Sequence, residues 1–330
     1  MTQIFGIVTR KCVVHLSDRL LSQKTKRGVL PFDRDSNKAI IFQATDAHVI
    51  ASYTGRAYLD NIPSDTFIAQ SLLGRTLTGG GAILMFGRPD KWTDIGRSVE
   101  RLRDSLSGAF RRLPENERAG DFLVSILGWR ENKRNKRVSP VIWELRRPQG
   151  QPNEPFEISC HHRWWRWDRN YVFSAIPDVH SSITERIRAQ IKERGYKSPD
   201  EIKQILIAAL RHCADLRPDT VGSSCLQIFL TPLASTQASI RYIADVSQPN
   251  EFPKEACGYT PWIVTPSKAF APTLLQGANL SKCMINSGGF SWVYEGSIGS
   301  TVAKKALYTS QHRPTDPQLR GKRLKRSKDE

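Results

Sequence analysis

Position 2 is a threonine, directly behind the initiator Met1 and leading straight into the β-rich run Ile4-Phe5-Gly6-Ile7-Val8. Once Met1 is removed, that threonine carries a side-chain hydroxyl and a free α-amine together. A hydroxyl is a poor nucleophile at neutral pH and needs a base; an α-amine, with an ordinary pKa of about 7.7–8, can be that base. Three other positions draw attention at strand ends and turns. Each has a plain structural alternative: Asp18-Arg19 as a surface ion pair, Lys38 as a solvated strand end, and Gly55 as a turn that needs positive φ.

Other constellations are weaker. Cys160-His161-His162 cannot all face one metal from a regular strand, because successive side chains alternate sides. The same stretch continues Arg163-Trp164-Trp165-Arg166-Trp167-Asp168-Arg169. Interleaved aromatic and arginine side chains can stack on bases and bind phosphates, or can form an amphipathic segment with tryptophans inside and arginines outside. Gly79-Gly80-Gly81 lack the following Gly-Lys-Ser/Thr of a phosphate-binding loop. No Gly-x-Ser-x-Gly or His-Glu-x-x-His pattern occurs, which removes the commonest serine-hydrolase and metalloprotease readings.

The elements that must position these residues follow from periodicity. Ile4 to Val8 and Cys12 to Leu16 suit a hairpin at the start of the chain. Gln23 to Arg27 reads as a basic loop, and 38–42 with 48–53 as a second strand pair around Asp46. A short helix is expected after Pro63, with Ser64 as its N-cap, and a longer one where Ile95, Val99, Leu102, Leu106 and Phe110 recur at three- and four-residue steps. Strands resume at 122–129, 141–145 and 171–176. Two further helices start at the capping-box spacings Ser182-x-x-Glu185 and Ser198-Pro199-Asp200-Glu201. Cys225 to Thr231 returns to strand. Strands, two helices, strands, two helices and a strand predict an α+β fold, a four-layer α/β/β/α sandwich with an added C-terminal β-rich extension.

Taken in order, the quoted residues resemble the proteasome β-subunit family of N-terminal-nucleophile hydrolases and its bacterial proteasome-like relatives. Leu16-Ser17-Asp18-Arg19-Leu20-Leu21-Ser22 resembles the family's apolar-Ala-Asp-Ser/Arg-Arg segment, and Asp18 lies 16 residues after Thr2, the family spacing. Lys38 precedes the strand Ala39-Ile40-Ile41-Phe42 as the family's catalytic lysine precedes its own. Tyr53-Thr54-Gly55-Arg56-Ala57 resembles the turn whose glycine N–H forms the oxyanion hole. Further along, Arg217 to Ser224 occupies the place of the family's Asp-x-x-Ser-Gly-Gly turn: Asp219 matches, the family serine falls on Gly222, and Ser223 stands one step away. The earlier family serine has no direct counterpart in Ala175-Ile176-Pro177-Asp178. The resemblance covers about residues 2 to 232.

That resemblance implies a threonine-type peptidase or amidohydrolase, with Thr2 as nucleophile and base. Lys38 would favour the neutral amine by like-charge repulsion, and Asp18 would hold the lysine charged and oriented. Asp219 and Ser223 complete the implied catalytic set, and Gly55 N–H would donate to the tetrahedral oxyanion. Ser22, Tyr53 and Ala57 would line the substrate site. The substrate would be a peptide or small amide, and no cofactor or metal is implied.

Composition sets the outer bounds. Of 330 residues, 39% are hydrophobic and 25% charged, enough for a large core. The expected organisation is a proteasome-like domain over 1–233, a β-rich extension over 234–310 and a basic disordered tail over 311–330. The first residues lack the pattern of a secretory signal, and no apolar run approaches the roughly 20 residues of a membrane span, so a soluble, cytoplasmic chain is expected. Six scattered cysteines argue against a disulfide framework. The formal charge of +17 favours anionic partners. It leaves a nucleic acid open as a partner, beside a homo-oligomer, and with the unmatched serines it leaves open a catalytically impaired scaffold or nucleic-acid-associated binding protein.

Overall fold

A computed structural model describes residues 2–9, 11–25, 28–33, 36–74, 94–132, 134–135, 137–160, 171–176, 181–194, 198–231, 237–243, 257–259, 261–264, 269–270, 274–276, 281–287 and 290–295. Two seven-stranded sheets dominate it. The first is ordered β12 (Tyr171–Ile176), β1 (Ile4–Thr9), β2 (Val13–Asp18), β13 (Cys225–Leu230), β14 (Gln237–Ile243), β20 (Phe290–Glu295) and β19 (Ser281–Ser287). The second is ordered β11 (Glu157–Cys160), β10 (Val138–Arg146), β9 (Leu123–Glu131), β6 (Ala47–Thr54), β5 (Ala39–Gln43), β16 (Trp262–Val264) and β17 (Ala269–Phe270). Neighbours are antiparallel except β14 with β20 and β5 with β16, which are parallel. Among the described residues there are also three two-stranded ribbons: β3 (Leu21–Thr25) with β4 (Gly28–Asp33), β7 (Tyr58–Leu59) with β8 (Ile62–Pro63), and β15 (Cys257–Tyr259) with β18 (Leu274–Gln276).

The helices are α1 (Ser64–Leu73), α2 (Ile95–Arg111), the short α3 (Glu115–Arg118), α4 (Ser181–Arg194) and α5 (Pro199–Leu216). Helix α2 buries Ile95, Val99, Leu102, Leu106 and Phe110, the stripe expected from its periodicity. Its N-cap Asp94 accepts from the Arg97 N–H at 3.0 Å. Helix α5 has Ser198 at its N-cap and Pro199 in its first turn, but the serine side chain makes no capping hydrogen bond. The cap of α1 differs from expectation. Pro63 holds that position, and Ser64 Oγ donates instead to the Arg56 carbonyl at 2.9 Å.

Three clusters of buried side chains account for the core. One joins α1 and α2 to Ile40, Val49, Ala51, Val124 and Ile126 of the second sheet. Another joins α4 and α5 to Phe5, Ile7, Val14 and Leu16 of the first. The third mixes residues of both sheets, among them Val8, Val13, Leu226 and Ile228 with Ile41, Ile50, Leu127 and Ile142. Strands β1, β2 and β6 are buried along their whole length, so both faces of each are covered. Gly6 lets the sheets approach closely, since a Cβ there would lie 2.0 Å from Leu127 Cδ1.

A further expectation is revised: Leu21–Thr25 and Gly28–Asp33 pair antiparallel as β3 and β4, where the sequence read a basic loop from Gln23, and Val29 and Leu30 are exposed. Strands from beyond residue 234 hydrogen-bond into both large sheets: β14, β20 and β19 extend the first, and β16 and β17 extend the second. Residues 161–170, Pro177-Asp178, Gly79-Gly80-Gly81 and the tail over 311–330, each singled out in the sequence, lie outside the described residues.

Candidate functional site

The site begins where β1 starts and β2 ends. Antiparallel pairing brings Gln3 opposite Asp18, and the two lock together: the Asp18 N–H donates to the Gln3 carbonyl at 3.0 Å, and the Gln3 N–H donates to Asp18 Oδ1 at 2.7 Å. The second carboxylate oxygen accepts from the Leu20 N–H at 3.1 Å and from the Gly222 N–H at 3.2 Å. Lys38, immediately before β5, sends its Nζ to both carboxylate oxygens at 3.0 Å and to the Leu20 carbonyl at 2.6 Å. Both side chains of this ion pair are 0% exposed. Asp18-Arg19 as a surface pair and Lys38 as a solvated strand end are thereby excluded.

An ammonium has three protons and no acceptor, and three oxygens receive them here. The carboxylate in turn takes three backbone N–H groups besides the lysine. Removing two charges from water is costly, and such a pair is sustained only when the remaining valences are satisfied, as these are. Burial pushes the Lys38 pKa below its ordinary range, and Asp18, with a smaller contribution from Asp33, opposes that shift. The lysine is positioned from behind by its strand neighbours. The Tyr53 N–H donates to the Lys38 carbonyl at 3.2 Å, and the Tyr53 hydroxyl donates to the Asn37 carbonyl at 3.1 Å. Asn37 Nδ2 donates to the Ala39 carbonyl at 2.9 Å.

Thr2 is buried, and its neighbour Gln3 is the residue whose N–H Asp18 grips. The residue that follows Thr2 is thus tethered to the carboxylate that holds Lys38. Gly55 closes β6 with φ of +108°, and a Cβ there would stand 2.1 Å from the Asp121 carbonyl oxygen. Conformation and crowding both demand glycine at this exposed turn.

The loop over 217–224 closes the other side. The Arg19 N–H donates to the Ser224 carbonyl at 3.2 Å, and Ser22 Oγ donates to the Asp219 carbonyl at 2.6 Å. Asp219 is exposed and meets this loop contact through its main chain. Ser223 is half-buried. At Gly222, where the resembled family has serine, the backbone N–H reaches Asp18, and a Cβ would come within 3.0 Å of Leu20 Cβ. Of the expected substrate-lining residues, Ser22 and Ala57 are half-buried. Tyr53 is 4% exposed, its ring 6.1 Å from that of Phe122, and its N–H and hydroxyl bond to the Lys38 and Asn37 carbonyls.

Sequence reasoning missed Gln3, Leu20, Asn37 and the Gly222 N–H. Three of the four act through main-chain groups, which leave no mark on residue type. Among the described residues no cluster of three or more His, Cys, Asp or Glu could hold a metal. Cys160 is exposed and accepts from Trp143 Nε1 at 2.7 Å. No helix among the described residues is long and apolar enough to cross a membrane.

No protein-family model matches the chain, and no curated protein matches it. Among solved structures it is similar to Anbu (ancestral beta-subunit) from Yersinia bercovieri, at 13% identity, with a TM-score of 0.38 over 70% of this chain and 81% of that one.

Proposed function

We propose that the chain is a proteasome-like N-terminal-nucleophile hydrolase of peptide or amide bonds, with Thr2 as nucleophile after loss of Met1. The observation that carries this reading is the fully buried Lys38–Asp18 pair, tied by Asp18 to the main chain beside Thr2. A buried lysine is expensive, and nothing in the packing of a sheet end calls for one. A chemical role accounts for it: the fixed positive charge disfavours protonation of an adjacent α-amine and leaves that amine able to take the Thr2 hydroxyl proton.

In the proposed reaction Thr2 Oγ attacks the amide carbonyl while the Thr2 amine accepts the hydroxyl proton. The tetrahedral oxyanion takes the Gly55 N–H as a donor, a type typically worth about 100- to 1,000-fold in rate. The amine then returns its proton to the leaving nitrogen, and water releases the acyl group by the same route in reverse. Asp18 orients Lys38, and Ser22 with Ala57 borders the substrate. The fold proposed around this chemistry is a four-layer α/β/β/α sandwich, supported by the two helix-on-sheet clusters and the mixed cluster between sheets.

Thr2→Ala tests the reading. Turnover of fluorogenic peptide amides should fall at least 1,000-fold while the thermal midpoint stays within about 2 °C, as suits removal of one small side chain. Retained turnover in this variant would rule out Thr2 as nucleophile.

A further inference from the structure

At the end that carries Lys38, the row of second-sheet side chains facing the first sheet is polar. In the second sheet, strand register sets Ala39, Ser52, Ser125 and the half-buried Glu144 side by side across β5, β6, β9 and β10. The next row inward, Ile41, Ile50, Leu127 and Ile142, is made of large apolar side chains. Facing sheets stand about 10 Å apart, and alanine and serine fill less of that space than the isoleucine and leucine of the next row.

The first sheet contributes Ser17, which shares its face with Val13 of the mixed cluster and is flanked in register by Ile4 and Leu226. Ser17, Ser52 and Ser125 are each 0% exposed, and none of their hydroxyls has a hydrogen-bond partner among the described residues. His15, two residues along β2 on the same face, is also 0% exposed, with both ring nitrogens unpartnered there. Ser17 adjoins Asp18 in sequence, and Ser52 is the register partner of Ala39, which adjoins Lys38. The Asp18–Lys38 bond therefore draws the polar residues of the two sheets toward one place.

A buried hydroxyl left unsatisfied is costly, and three in one seam with an imidazole beside them is not a dry core. Water requires two to four polar partners, and this seam holds three unpartnered hydroxyls among the described residues. We propose that Ser17, Ser52 and Ser125 build an internal hydration site on the core side of the Asp18–Lys38 pair, extending along β2 to His15. Water held there makes the surroundings of the buried charges more polar. The proposal is independent of the reaction assigned to Thr2 and stands or falls without any measurement of activity.

The test compares the full-length protein with the Ser17→Ala/Ser52→Ala/Ser125→Ala variant and with each single variant. Oxygen-17 magnetic relaxation dispersion, which counts long-lived internal waters, should lose at least one water in the triple variant. Each single variant should lower the thermal midpoint by roughly 2 °C, because its alanine leaves water without a partner. In a dry seam the same substitutions remove an unsatisfied hydroxyl, so the midpoint holds or rises and the count of waters is unchanged. Either of those results overturns the proposal. Should the triple variant fail to fold, the single variants carry the same two readouts.

Discussion

Two buried aspartates, Asp18 and Asp46, tie the molecule together in different ways. Asp46, at the turn before β6, accepts from the Ile95 N–H at the start of α2 and from Arg130 Nε, both at 2.8 Å. Its partner Arg130 keeps 42% of its side chain exposed, so only the carboxylate is buried. Asp18 is paired with a lysine that is buried as completely as itself. The first arrangement is an economical way to pin a helix to a hairpin. The second commits an ammonium to the interior, where packing alone gains nothing from it. That difference separates a fastening from a device, and it is why Lys38 rather than Arg130 marks the candidate site.

The sharpest way to break the comparison is to remove each carboxylate. Asp18→Ala leaves Lys38 with only the Leu20 carbonyl and strands three backbone N–H groups; a loss of about 3–5 kcal/mol is expected by denaturant unfolding. A cost below about 1 kcal/mol would show that the pair is not held as described.

Acid probes the uncharged groups nearby, because each aspartate has a buried histidine close to it in sequence. His15 and His48 are both lowered by burial to about 3, from an ordinary 6.5. Between those values the unfolded chain binds more protons than the folded one, so stability is fully present above pH 6.5 and falls as pH drops toward 3. Together they should cost about 3 kcal/mol between pH 6.5 and 5. His15→Asn should flatten this part of the stability profile by about half.

Lys38→Met is a milder break than Asp18→Ala, since the carboxylate keeps the N–H groups of Gln3, Leu20 and Gly222. A loss of roughly 1–2 kcal/mol is expected, with peptide-amide turnover abolished. Arg130→Ala should cost the least, under about 1 kcal/mol, because its exposed end is screened by solvent. A thermal melt series of the two variants ranks them directly.

The contrast also shows what the chain reveals before it is folded. The Asp18–Lys38 pair was legible because side-chain type and spacing carry it, the turn at Gly55 because glycine alone suits a positive φ, and the stripe of α2 because burial imposes a period. Asp46 appeared only as the middle of a strand pair; its bonds to Ile95 and Arg130 span 49 and 84 residues and leave no local pattern. Gly222 read as a missing serine, whereas the group that reaches Asp18 is its main-chain N–H, which any residue but proline possesses. The β3–β4 pairing was hidden by the basic composition of residues 23–27. The places of β14, β16, β17, β19 and β20 in the two sheets depend on long-range pairing, including two parallel contacts, which periodicity cannot encode.

The central claim is that the Asp18–Lys38 pair serves the amine and hydroxyl of Thr2. Intact-mass measurement after treatment with an electrophile selective for N-terminal threonine tests it most directly, with Lys38→Met as the control. The account expects a wild-type mass lacking Met1 and increased by one adduct mapped to Thr2, with labelling at least tenfold slower in the variant. A fully active protein that retains Met1, or equal labelling of the wild type and Lys38→Met, would contradict it.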